Sequence, residues 1–272
     1  MTGIFIAGAL EVINRKYRDR IHSIYATSSG ADVGAYCVSG QASLPRKFFL
    51  EHLAQTTFVR GNWLSYVYKV FFAPKSQRIP DFLDIDYVIE TARSSDCALN
   101  THAFQDSDIE LFVKVIDVDT AQHAYLPTRN ELFEKLEATS QCGPFTTRAI
   151  TIDGRRYIDG DTMISDVDAE LLHSMPDKKF IYIEPMGPET LYKALLYPFY
   201  ALAALAIVRL YSFRIGMTYL RQLFEDRSKR VRVYSNVTYL RNPISASAFC
   251  TDKKTLEAIY QHGLREAEAV HI

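Results

Sequence analysis

Apolar positions along the chain recur in two periods, and these periods outline most of its elements. Ile4-Phe5-Ile6-Ala7-Gly8-Ala9-Leu10-Glu11-Val12-Ile13 has the apolar spacing of a helix packed against a core, and it runs into a charged stretch from Arg15 to Arg20. A short apolar run, Ile21 to Tyr25, reads as a strand, and the small residues after it read as a helix from about Ala31 to Val38. A further helix is expected over Leu44 to Ala54. Trp63 to Phe72 is aromatic with one lysine, and it ends in a loop at Ala73-Pro74. Asp84-Ile85-Asp86-Tyr87-Val88-Ile89-Glu90 has the look of a capped helix start, with carboxylates complementing the N-terminal dipole.

The period then changes. Glu110 to Val118 alternates and is β-branched, which predicts a strand, and Ala121 to Leu126 is placed to pair with it through Asp119-Thr120. Asn130 to Thr139 reads as a helix. Ile150 to Ile152 and Arg156 to Ile158 flank Asp153-Gly154, the turn chemistry of a two-residue hairpin. Phe180-Ile181-Tyr182-Ile183 is a continuous apolar run, as expected of a buried strand in a largely parallel sheet. Thr190 to Glu225 reads as helical and very apolar, Val231 to Tyr234 as a strand, and Thr251 to Ala269 as a terminal helix capped by Thr251 or Asp252. Strands alternating with helices predict an α/β sandwich with a mainly parallel sheet, here taken as a single domain over residues 1–272.

Composition narrows the chemistry. The 272 residues are 23% charged and 48% apolar with a formal net charge of −1, which gives no electrostatic footprint for nucleic acid. Cys37, Cys97, Cys142 and Cys250 are widely spaced without a C-x-x-C pair, and the seven histidines are dispersed. Neither a metal nor another cofactor is expected from such spacing. No signal peptide is visible, so a cytoplasmic location is expected.

Tyr25-Ala26-Thr27-Ser28-Ser29-Gly30-Ala31 sits where the strand turns abruptly into the helix, which is the layout of a nucleophile elbow. Gly30 supplies the small residue required after the serine, and Ala26 replaces the first glycine with a methyl. Taken alone the string also describes an ordinary turn or N-cap. A serine nucleophile needs a base. Asp159, on the tight turn that ends the hairpin, is one candidate; His173 or His262, completing a Ser-Asp-His order, is the other.

Four segments in order resemble the patatin-like phospholipases, and bacterial members in particular: Gly3-Ile4-Phe5-Ile6-Ala7-Gly8-Ala9-Leu10, the Ala26 to Ala31 elbow, Ser140-Gln141-Cys142-Gly143-Pro144, and Ile152 to Gly160. The resemblance covers about the first two thirds of the chain, and the Thr251 to Ala267 helix is similar to the family's tail. It implies a three-layer α/β/α sandwich and a lipid acyl hydrolase with a Ser28–Asp159 dyad and no histidine in the mechanism. The oxyanion and elbow residues would be Gly3, Ser29 and Gly30. Two departures stand out. The family's glycine-rich loop follows a first strand, whereas here Gly3 matches only the last glycine, Thr2 stands where a basic residue is usual, and the strand is missing from this chain. Either Met1 is an internal methionine of a longer protein or this version is catalytically crippled. Asp161 stands where glycine or alanine is common. It is expected to be solvated surface charge, unless its side chain converges on Asp159 and raises that carboxyl's pKa.

An acyl lipid substrate directs attention to Ala194 to Val208, fifteen apolar or aromatic positions bracketed by Lys193 and Arg209 within an apolar helical segment, residues 190–225. That is short of the ~20 residues a spanning helix needs. A buried core helix, an acyl-binding wall and an interfacial helix remain open. Arg209, Arg214, Arg221, Arg227, Lys229, Arg230 and Arg232 make the region locally basic, which suits peripheral contact with anionic headgroups. Trp63 to Phe72 is read as aromatic core, or else as a second lipid-facing patch. The competing reading from another class is a non-catalytic lipid-binding or membrane-associated protein of the same fold.

Overall fold

Strand β2 organises the molecule, because it pairs with three other strands and is covered on both faces. The structure, a computed structural model, describes residues 3–54, 58–74, 77, 79–162, 167–184, 193–223, 236–244 and 250–271. In chain order the elements are α1 (Gly3–Tyr17), β1 (Ser23–Ala26), α2 (Ser29–Val38), α3 (Leu44–Lys47), α4 (Trp63–Phe72), α5 (Ile85–Ser94), α6 (Thr101–Gln105), β2 (Glu110–Asp117) and β3 (Gln122–Pro127). They continue with α7 (Leu132–Ser140), β4 (Ile150–Ile152), β5 (Arg155–Asp159), α8 (Val167–Ser174), β6 (Phe180–Glu184), α9 (Lys193–Leu210), α10 (Phe213–Leu223), β7 (Val237–Arg241) and α11 (Lys253–Glu268).

The α/β class is as expected. β1 pairs with β2 in parallel, β6 pairs with β7 in parallel, and the hairpin strands β3, β5 and β4 add antiparallel ladders, so the main sheet is mixed where the hairpins join it. Side chains alternate faces along a strand. Leu111, Val113 and Val115 of β2 enter a core built with α2, α5 and α7, while Ile116 packs with Ile158 of β5, Ile207 of α9 and Ile215 of α10. A third core joins α1 to α11. There Gly8 lies so close to its neighbour that a Cβ would stand 2.2 Å from the Tyr260 carbonyl oxygen.

Local signals hold well. Asp84 and Asp252 cap α5 and α11, accepting from the Tyr87 and Thr255 amides. Asp153 and Gly154 both have positive φ, 49° and 75°, as a type I′ hairpin turn requires. The Leu44–Ala54 helix is instead α3 followed by a π-helical turn, Phe48–Leu53. The long apolar segment breaks at Tyr211-Ser212 into α9 and α10. β6 is half-buried rather than buried, with Tyr182 exposed, because among the described residues β7 is its only strand partner. The strand expected at Val231–Tyr234 and the basic residues Arg227 to Arg232 lie outside the described residues. α6 and α8 have no counterpart in the sequence reading.

Candidate active site

β2 acts as a ruler for the site. β3 occupies one edge of β2 from Phe112 to Asp117, which leaves the opposite edge to both β1 and β5. β1 runs parallel to β2 and ends with Ala26 opposite Val113; β5 runs antiparallel and ends with Asp159 opposite Val115. The two strands therefore meet end to end across one residue, Lys114, with about 6.6 Å of rise between their register partners. Ser28 and Asp159, 131 positions apart in sequence, are brought together by that register.

Ser28 has φ 50° and ψ −136°, a left-side backbone conformation that a non-glycine residue adopts at a cost of roughly 1–3 kcal/mol. It lies where β1 turns into α2, the position at which the sequence reading expected an elbow. The Ser28 amide donates to the Thr139 hydroxyl at 3.0 Å, and that hydroxyl donates to the Lys114 carbonyl at 2.7 Å. Fully buried Thr139 thus ties the elbow to β2 at the gap between β1 and β5.

Asp159 is 1% exposed. Its Oδ1 accepts from the Thr27 hydroxyl at 3.1 Å and from the Asp161 amide at 2.8 Å, and the Ser28 side chain is near enough to favour the charged carboxylate. Its own amide donates to the Gln141 carbonyl at 3.1 Å. Burial, and then the charge of Asp161, push its pKa up to about 7, and the Asp161 amide, Thr27 and Ser28 only partly offset them. Gly160 must be small here, since a Cβ would stand 2.6 Å from the Lys114 carbonyl oxygen.

Asp161 is exposed, as expected of a surface charge, but it is also paired. Its carboxylate pairs at 3.0 Å with the buried Lys114 ammonium, which also pairs with Asp168 at 3.1 Å, and the Tyr125 hydroxyl donates to Asp168 at 2.6 Å. Burial works against the Lys114 charge, yet Asp161 and Asp168 overcome it and raise that ammonium's pKa.

A second buried carboxyl belongs to the site. Asp32 lies one helical turn after Ser28 on α2, and its Oδ1 has no hydrogen-bond partner within the protein. Burial, and then the proximity of Asp159, push its pKa up to about 7 as well. Burial, and then the charge of Asp159, raise the Cys142 thiol's pKa well above its ordinary value.

Gly3 and Ser29 open α1 and α2, and the two meet: a Cβ on Gly3 would lie 2.6 Å from the Ser29 Oγ. First-turn amides have no intrahelical acceptor, so two helix N-termini with positive dipole ends converge beside Ser28. The Gly30 amide is engaged by the Thr27 carbonyl at 2.9 Å. Gly30 therefore serves the shape of the elbow, fitting against Ile6.

The candidate histidines are engaged elsewhere. His173 bonds the Ala169 carbonyl within α8, and His262 stacks on Phe5 and pairs with Glu266. His123 does reach the loop after Asp159, at 3.1 Å from the Gly160 carbonyl. The dispersed spacing also concealed a His52–Asp96–Cys97 cluster whose ligand atoms lie within 4.8 Å of one another. Lys47 already pairs with Asp96 there at 2.5 Å, and the cluster shares no residue with the Ser28 site.

The sequence reading missed Thr27, Asp32, Lys114 and Thr139 as members of the site. Only Asp32 carried a legible signal, a lone acid in an otherwise apolar helix. No family model and no curated protein matches the chain. The solved structure of VipD from Legionella pneumophila is similar over 98% of this chain, with 11% sequence identity and a TM-score of 0.44, and this chain spans 64% of the length of that one.

Proposed function

We propose that the protein is a serine acyl hydrolase of the patatin-like type, cleaving acyl lipid esters with Ser28 as nucleophile and Asp159 as base. One observation carries the reading: a serine with positive φ at a strand-to-helix elbow is brought by the β2 register beside a buried carboxylate whose pKa is pushed up to about 7. A carboxylate of ordinary pKa, ~3.9, is a weak base toward a serine hydroxyl, and the burial of Asp159 reduces that mismatch.

In this reading Asp159 takes the Ser28 proton as Oγ attacks the ester carbonyl. The negative charge of the tetrahedral intermediate develops beside the α1 and α2 N-termini, where the Ser29 amide donates to it. Asp159 returns the proton to the departing alcohol and leaves an acyl-enzyme. It then deprotonates a water that attacks the acyl carbon, releasing the fatty acid and restoring Ser28.

The test pairs p-nitrophenyl ester hydrolysis with fluorophosphonate labelling. Ser28→Ala abolishes both, and Asp159→Asn lowers hydrolysis by at least about a thousandfold. His173→Ala and His262→Ala retain activity. Unlabelled wild-type protein without esterase activity would overturn the catalytic reading and favour a lipid-binding protein of the same fold.

A further inference from the structure

Helices α4, α9 and α10 form a layer whose described side chains divide between the core and an exposed side. On α4, Tyr66 and Val70 point inward, while Tyr68 and Phe72 point outward with their rings 5.0 Å apart. On α9, Ala204, Ala206 and Ile207 are buried, whereas Leu202 and Leu205 are 43% and 56% exposed. On α10, Ile215 is buried and Phe213 and Met217 are exposed.

The outward residues belong to one surface. The Arg209 guanidinium near the end of α9 donates to the Phe71 and Ala73 carbonyls, which fixes the end of α4 beside the turn that leads to Phe213. Gly216 seats α10 against α9, where a Cβ would lie 2.8 Å from the Ala204 carbonyl oxygen. Of the large apolar side chains exposed among the described residues, all but Tyr182 lie on these three helices. Soluble proteins rarely leave such a patch without a use.

Charge identifies the occupant. None of the three helices contains Asp or Glu, while Lys69, Arg214 and Arg221 are exposed on them. Aromatic and aliphatic side chains interspersed with cations fit the boundary between headgroups and acyl chains. A second copy of this chain fits poorly, since two-fold pairing brings like charges together. No described helix is long and apolar enough to cross a membrane, so the contact lies in the plane of the interface.

We propose that the outer faces of α4, α9 and α10 dock the protein on an anionic lipid bilayer. The inference goes beyond the ester chemistry, and the Ser28→Ala protein tests it separately from that chemistry. Flotation with phosphatidylcholine vesicles is compared with flotation on vesicles containing about 30 mol % phosphatidylserine. The Ser28→Ala protein floats with the anionic vesicles in preference to the neutral ones. Adding Phe72→Ser with Phe213→Ser lowers that binding by about tenfold or more, because both side chains lose their acyl contact. Adding Lys69→Glu with Arg214→Glu lowers binding to the anionic vesicles by about tenfold and leaves the weak neutral binding unchanged. All four positions are exposed, and matched circular dichroism melts confirm that the variants keep the fold. Absence of flotation, or equal flotation of the Phe72/Phe213 variant, overturns the proposal. Self-association without vesicles that the same variant abolishes also overturns it, in favour of a dimer.

Discussion

α1 and α9 are similarly apolar helices with opposite surroundings. α1 is enclosed by α2, α11 and β6 and buries Ile4, Phe5, Ala7, Leu10, Val12 and Ile13. α9 meets α10 by the same device, a glycine at the crossing, but among its described side chains Ala204, Ala206 and Ile207 enter a core while Leu202 and Leu205 face outward. The difference teaches that apolar content does not set burial; the number of elements available to pack against it does. α1 belongs to the scaffold that aims Ser28, whereas the open side of α9 is free for another task.

The comparison breaks most readily at Phe5. Phe5→Ala leaves a cavity in the α1–α11 core and is expected to cost about 3–5 kcal/mol in urea unfolding. A smaller loss would mean that α1 is less enclosed than its contacts indicate. Asp32 sharpens the comparison from inside the same half, because it is a charge where α1 and α2 otherwise bury apolar groups. Its pKa in the fold lies above the unfolded value, so its contribution to stability is fully present below about pH 4 and is lost as pH rises through about 7. Asp32→Asn is therefore expected to raise Tm more at pH 8 than at pH 5. Equal gains in Tm at both pH values would show that burial does not hold the Asp32 carboxyl protonated. The smallest effect belongs to α9. Leu205→Ser changes stability by no more than about 0.5 kcal/mol, the value for an exposed position, as read by the same urea titration.

Much of the fold was legible because its signals are local. The Asp153-Gly154 turn, the Asp84 and Asp252 caps and the alternation of β2 obey rules that act within a few residues. Phe180 to Ile183 shows where such rules stop, since an apolar run does not reveal how many strands will pair with it. Ser28 and Asp159 were readable as motif positions. Thr139 was not, because its importance arises only from a hydrogen bond to an amide 111 residues away. Lys114 was hidden likewise; a lysine in a strand reads as a solvated position until Asp161 and Asp168 close around it.

The end-to-end meeting of β1 and β5 on one edge of β2 bears on how such a chain can change its length over time. The stretches between α2 and β2 and between β3 and α7 can gain or lose residues without moving Ser28 relative to Asp159, because neither stretch sets the spacing. A single residue added within Val113–Val115 would lengthen the gap by about 3.3 Å and turn the following side chains to the opposite face. Tolerance to insertion and deletion in this protein is thus set at Lys114, far in sequence from both Ser28 and Asp159.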